Sequence, residues 1–193
     1  MVEACVEALC EHLRRMGLNA TVESKKSKAR LGLPLYSLIL GSVRVVNRNI
    51  DLVELELIPG EPGGYRCNYV VQVKVNGLED RLKSKVKEVK VKKGFLRRET
   101  VDFRWEGKEL AQVLDGDANL RDARGLYAYF LEIKPDKKHQ RVRIREISPY
   151  GFLFFPPYRS LYFTPELAFP TIEAFEAYDR IAQHIRSIAN VRR

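Results

Sequence analysis

Apolar side chains recur at helical spacing at both ends of the chain and alternate with polar ones through much of its middle. Val2, Cys5, Val6, Leu9, Leu13 and Met16 form one stripe of a 3.6-residue period. Glu3, Glu7, Glu11 and Arg14 lie on the other side, and Gly17 is placed to end the helix. Near the C-terminus, Thr171 is placed to cap a second helix whose buried stripe is Ile172, Phe175, Tyr178, Ile181, Ile185 and Ile188. After the first helix, Asn19 to Glu23 predicts a short strand and SKKSKARLG a mobile basic loop. Leu35 to Val46, broken by Gly41 and Ser42, predicts two strands or one bent one.

The longest patterned stretch runs from Ile50 to Val75, two β-runs either side of the Pro/Gly-rich turn at Pro59 to Gly64. Pairing Ile58 with Tyr65 sets Asp51 opposite Gln72, with Lys74 on the same face because strand side chains alternate. An acid, an amide and an amine then share one patch of sheet. Beyond it, Leu78, Leu82, Val86 and Val89 keep helical spacing and predict a helix to about Lys90, although VKEVKVK also alternates as a strand does. Phe95 to Trp105 predicts a strand with Val101, Phe103 and Trp105 on one face. A helix follows with Leu110, Ala111, Val113 and Leu114 inward, ended at Asp115-Gly116-Asp117. Leu126 to Lys134 and Gln140 to Ile147 predict a second hairpin about PDKKH. The expectation is one α+β domain over residues 1–193, a mixed or antiparallel sheet with N-terminal and C-terminal helices packed on it. Division into 1–94 and 95–193 is the alternative.

At 193 residues the chain can bury a proper core, and no apolar run reaches membrane-spanning length. The first residues form a helix rather than a secretory signal. Cys5, Cys10 and Cys67 have neither disulfide-scaffold nor zinc-site spacing, which points to buried thiols in a reducing cytoplasm. Abundant Lys, Arg and Glu fit a thermophilic source.

A net charge of +9 tilts partners towards polyanions. The cations sit in blocks, and the candidate nucleic-acid contacts are Lys83, Lys85, Lys87, Lys90, Lys92, Lys93, Arg97, Arg98, Lys137, Lys138 and Arg141. Residues 150–169 are rich in rings and prolines. There Tyr150, Phe155, Tyr158 and Arg159 are candidates for stacking on bases, for anchoring a protein partner or for a homodimer contact. The plainer expectation for this arm is an extended segment completing the core.

Other constellations fall away. Asp115, Asp117 and Asn119 imitate the start of a calcium loop, but Leu120 stands where glycine is needed and Leu126 where glutamate is needed. His12, His139 and His184 are scattered, and no cysteine stands at metal spacing from them. Glu132-Ile133-Lys134 is a second acid-x-amine triplet, read as a hairpin end.

A glutamate-bearing N-terminal helix, an Ile50-Asp51 strand start, a hairpin and a strand ending Val71-Gln72-Val73-Lys74 together resemble the PD-(D/E)XK nuclease superfamily. The Gln-x-Lys form is similar to that of type IV restriction endonucleases, with archaeal Holliday junction resolvases as more distant cousins. The resemblance covers residues 1–95. It implies a Mg2+- or Mn2+-dependent phosphodiesterase acting on nucleic acid. Asp51 would be the metal ligand, Gln72 a weak ligand or support for one, and Lys74 the residue positioning water, with Glu3 or Glu7 completing the metal set. The chain departs from the pattern in lacking a proline before Asp51 and in carrying an amide at Gln72, which leaves Asp51 as the one assured anion. A basic nucleic-acid- or ribonucleoprotein-associated module without catalysis is the alternative.

Overall fold

The computed structural model describes residues 2–24, 28–30, 37–59, 65–75, 80–93, 97–120, 131–146, 153–154 and 170–190. The protein is α+β, and every described strand pairing is antiparallel. In chain order the first elements are α1 (Val2–Arg15), β1 (Asn19–Ser24), β2 (Lys28–Arg30), β3 (Ser37–Val46), β4 (Leu52–Pro59) and β5 (Tyr65–Lys74). A 3-10 turn (Asp80–Leu82), β6 (Ser84–Lys93), β7 (Arg97–Gly107) and α2 (Glu109–Gly116) follow. The chain closes with β8 (Leu131–Asp136), β9 (Arg141–Glu146), β10 (Leu153–Phe154) and α3 (Ile172–Asn190). Contacts divide the chain into two compact units. One comprises Met1–Gln72 and Ser148–Ile172, the other Val73–Ile147 and Glu173–Arg193.

In the first unit the strands run β1-β3-β4-β5, with β2 also on β3 and β10 on β5. Rungs of Val43, Val53 and Val71, and of Gly41, Leu55 and Tyr69, give this sheet an apolar face. That face looks towards α1, whose Cys5, Val6, Leu9, Cys10 and Leu13 are buried. Bulges in β1 and β3 bring the Ser24 carbonyl and Val6 against Gly41. A Cβ there would lie 2.3 Å from the Ser24 oxygen and 2.7 Å from the Val6 methyl, so only glycine fits. Helix α1 ends as its sequence predicts. Gly17 has φ 80°, its amide donates to the Arg14 carbonyl at 2.9 Å, and the Leu18 amide donates to Leu13 at 3.1 Å. This pair of bonds satisfies two orphan carbonyls, and Leu18 folds back into the core beside Leu13. The basic stretch after β1 is not all loop: Lys28–Arg30 pairs with Ser37, Leu38 and Ile39 as β2.

In the second unit the strands run β9-β8-β6-β7. The predicted helix through Val86 and Val89 is instead β6, preceded by a single 3-10 turn. Its valines are β-branched and alternate with lysines, and ten cross-strand pairs with β7, Val86 with Trp105 among them, outweigh the helical spacing. Helix α2 lies against β7 with Leu110, Ala111 and Leu114 buried, but Val113, expected inward, is 36% exposed. In α3, Ala174, Phe175, Tyr178, Ile181, Ala182, Ile185 and Ile188 are buried, which fits the predicted stripe apart from the half-buried Ile172.

Polar contacts tie α3 to the rest of this unit. Arg81 donates to the Ile188 carbonyl at 2.8 Å, near the helix end where a cation suits the exposed carbonyls, and pairs with Glu109 at 3.0 Å. Asp117, just beyond α2, accepts from Arg180 and from His184 Nε2 (2.7 Å), and from the Asn119 amide at 3.0 Å. Burial pushes this carboxyl upward, but the hydrogen bonds from Arg180 and His184 outweigh it and hold its pKa at about 2. The aspartates that imitate a calcium loop are thus structural, Asp115 accepting the Trp105 amide at 3.1 Å.

Candidate functional site

The central hairpin forms, but not in the expected register. Leu52, not Asp51, is opposite Gln72, and the pairing continues through Ile58 with Arg66 to Pro59 with Tyr65. The expected pairing would set Val53 against Val70 and Leu55 against Asn68, mixing the faces. The observed one matches Val53 with Val71, Leu55 with Tyr69 and Leu57 with Cys67, apolar against apolar. A one-residue change in the turn decides it. What meets Gln72 at Asp51 is backbone, the Asp51 amide donating to the Gln72 carbonyl at 2.9 Å. The Asp51 carboxylate adds to the field that raises the pKa of Arg44, whose guanidinium chiefly pairs with Glu23 at 2.9 and 2.6 Å.

Gln72 is 3% exposed, Glu7 is exposed on α1, and Lys74 is exposed and belongs to the second unit. The acids that share a sheet face with Gln72 are Glu54, opposite Val70, and Glu56, opposite Asn68; Glu56 is 2% exposed. Their alternation with Val53, Leu55 and Leu57 was the available signal, hidden by anchoring the register at the turn. The one assured anion, Asp51, is not across from the buried amide, and among the described residues no three of His, Cys, Asp and Glu are grouped to hold a metal ion. Cys5 and Cys10 are buried thiols, and burial pushes both up, away from nucleophilic chemistry.

The basic residues are better organised. Among the described residues β8 pairs with β6 at Ser84 and Lys85, while β7 pairs with β6 from Ser84 to Lys93. The register of this ribbon sets Lys87 opposite Arg104, Lys92 opposite Arg98 and Lys93 opposite Arg97. Lys90 stands opposite Thr100. At the base of the ribbon one rung carries Arg145, Glu132, Lys85 and Glu106 across four strands, charges alternating. The Lys85 ammonium lies 3.1 Å from Glu106, and that of Lys134 lies 2.6 Å from Glu132. Lys137 and Lys138 are exposed in the β8–β9 turn, Lys137 facing Asp80 at 3.8 Å, and Arg141 is half-buried opposite Asp136. His139 in the same turn pairs with Asp136 at 3.0 Å.

Glu132 and Lys134 of the triplet read from sequence as a hairpin end also line a cleft of 660 Å3 with the 3-10 turn, the start of β6 and the end of β7. Tyr150, Phe155, Tyr158 and Arg159 lie outside the described residues. Comparison of the chain with protein-family models, with curated proteins and with solved structures finds no match.

Proposed function

We propose that the protein is a nucleic-acid-binding module whose contact element is the β6–β7 ribbon. The observation that carries this reading is the ribbon register. Three pairs of like-charged residues stand directly opposite one another, an arrangement that destabilises an isolated strand pair. A polyanion converts that repulsion into attraction, since each phosphate neutralised releases condensed counterions. A ribbon of this length, about 25 Å at 3.3 Å per residue, also suits the major groove of B-form DNA, which admits two strands. Binding of this kind needs no metal. It is favoured over hydrolysis through Asp51, Gln72 and Lys74 because Leu52, not Asp51, stands opposite Gln72.

The test is fluorescence anisotropy with labelled duplex and single-stranded oligonucleotides across a salt series. Wild-type affinity is expected to fall with a log–log slope near about −5 if six cations engage a duplex. Lys92→Glu gives the sharper result, because it replaces a repulsive pair with an attractive one opposite Arg98. It should weaken binding and flatten the slope by roughly 1, while holding or raising the melting temperature. Affinity independent of salt, or unchanged in Lys92→Glu, refutes the reading.

A further inference from the structure

The cleft at the base of the ribbon has a charge arrangement of its own. Lys85 and Lys134 are matched by Glu106 and Glu132, at 3.1 and 2.6 Å, and so present little unsatisfied charge to a ligand. Asp80 faces Lys137 at 3.8 Å. Lys83 and Lys108 are different. Both line the cleft, both are exposed, and neither side-chain ammonium has a hydrogen bond or ion pair among the described residues. Their positions are fixed by backbone. The Lys83 amide donates to the Asp80 carbonyl at 3.1 Å, and Lys108 is the residue from which α2 starts. The two segments are pressed together between them: a Cβ on Gly107 would come within 2.4 Å of the Lys83 carbonyl oxygen.

Two ammonium groups are therefore delivered to one cleft from adjoining segments, with the nearby carboxylates already matched to other lysines. We infer that this cleft binds a phosphomonoester, with Lys83 and Lys108 as the phosphate-binding residues. A phosphomonoester carries −1.5 to −2 charges at neutral pH (roughly, with its second pKa near 6) and suits lysine, a point-charge donor. The volume of 660 Å3 exceeds what a phosphate needs and leaves room for a substituent of nucleoside size on the ester. Glu132 and Glu106, which also line the cleft, retain carboxylate acceptor capacity for sugar hydroxyls or base amino groups. The ligand is either a free mononucleotide or the terminal phosphate of a strand. The inference does not depend on the ribbon reading.

Calorimetric titration of the full chain tests it, with adenosine 5′-monophosphate, adenosine, and a tetranucleotide with and without a 5′-phosphate as probes. The monophosphate should bind at least tenfold more tightly than adenosine, and the double variant Lys83→Gln/Lys108→Gln should lose that preference. Lys92→Glu on the ribbon should retain it, which separates this site from the proposed nucleic-acid contact. A 5′-phosphate preference in the tetranucleotide equal to or larger than that of the monophosphate over adenosine supports a strand end as the ligand. A preference confined to the monophosphate supports a free nucleotide. Equal binding of phosphorylated and unphosphorylated probes throughout, or a double variant that binds like wild type, overturns the proposal. Both substitutions are at exposed positions, so loss of fold does not confuse the result.

Discussion

Replacing Asp117 with Asn removes the anion that holds α3 to the segment following α2. The Asp117 side chain is 4% exposed and accepts from Arg180 and His184. Its pKa is lowered from 3.8 to about 2. At roughly 1.36 kcal/mol per unit, that corresponds to about 2 kcal/mol of folded-state stabilisation. Because the folded pKa lies below the unfolded one, the contribution is complete above about pH 5 and disappears as the pH falls through 2. Asp117→Asn should therefore lose about 2 kcal/mol at pH 7, a drop of about 4–8 °C in melting temperature for a chain of this size. The gap between wild type and variant should narrow below pH 4 and close near pH 2. Urea denaturation followed by far-ultraviolet circular dichroism from pH 7 to pH 2 measures both quantities. A variant within about 0.5 kcal/mol of wild type at pH 7, or a difference that persists at pH 2, refutes the assignment of this stability to the Asp117 charge.

Two further outcomes follow from the first unit. Gly41→Ala should destabilise by about 3 kcal/mol or more in thermal melts, because the new methyl meets the Ser24 carbonyl, which is backbone and cannot turn aside; a neutral result would mean that the bulge can open. Gln72→Glu should destabilise by about 2 kcal/mol through burial of a carboxylate, with millimolar magnesium failing to restore the melting temperature. A magnesium-dependent rise seen in the variant would instead reinstate a metal site at the hairpin.

The helices and most strands were legible in the sequence because their apolar spacing is enforced by burial. Leu9, Leu13, Phe175 and Ile185 are fully buried and could not have been polar. Register was not legible from the turn. The number of residues in a Pro/Gly-rich loop is a local choice, and the five residues 60–64 between paired Pro59 and Tyr65 give the opposite parity from six. The matching of Val53 with Val71 and Leu55 with Tyr69 is the global constraint that decides it, and it was present in the sequence. Strand β6 was missed for a different reason. A segment as rich in lysine as VKEVKVK satisfies both periods, and only the partner strand β7 distinguishes them. The cleft was missed because Lys83, Lys108 and the Glu132–Lys134 pair come from three separate stretches of sequence, which no linear motif connects.

The order in which the two units are threaded has a consequence for biosynthesis. The first unit is completed by residues 148–172 and the second by residues 173–193, so neither is finished when the first half of the chain leaves the ribosome. Until α3 emerges, the surfaces that meet Phe175, Tyr178 and Ile185 lack their cover, and Asp117 lacks the Arg180 and His184 side chains it bonds. Contacts between segments so far apart in sequence carry a larger loop-closure entropy and slow folding. The nascent chain therefore passes through a stage in which the apolar surfaces that α3 buries are exposed and association competes with folding.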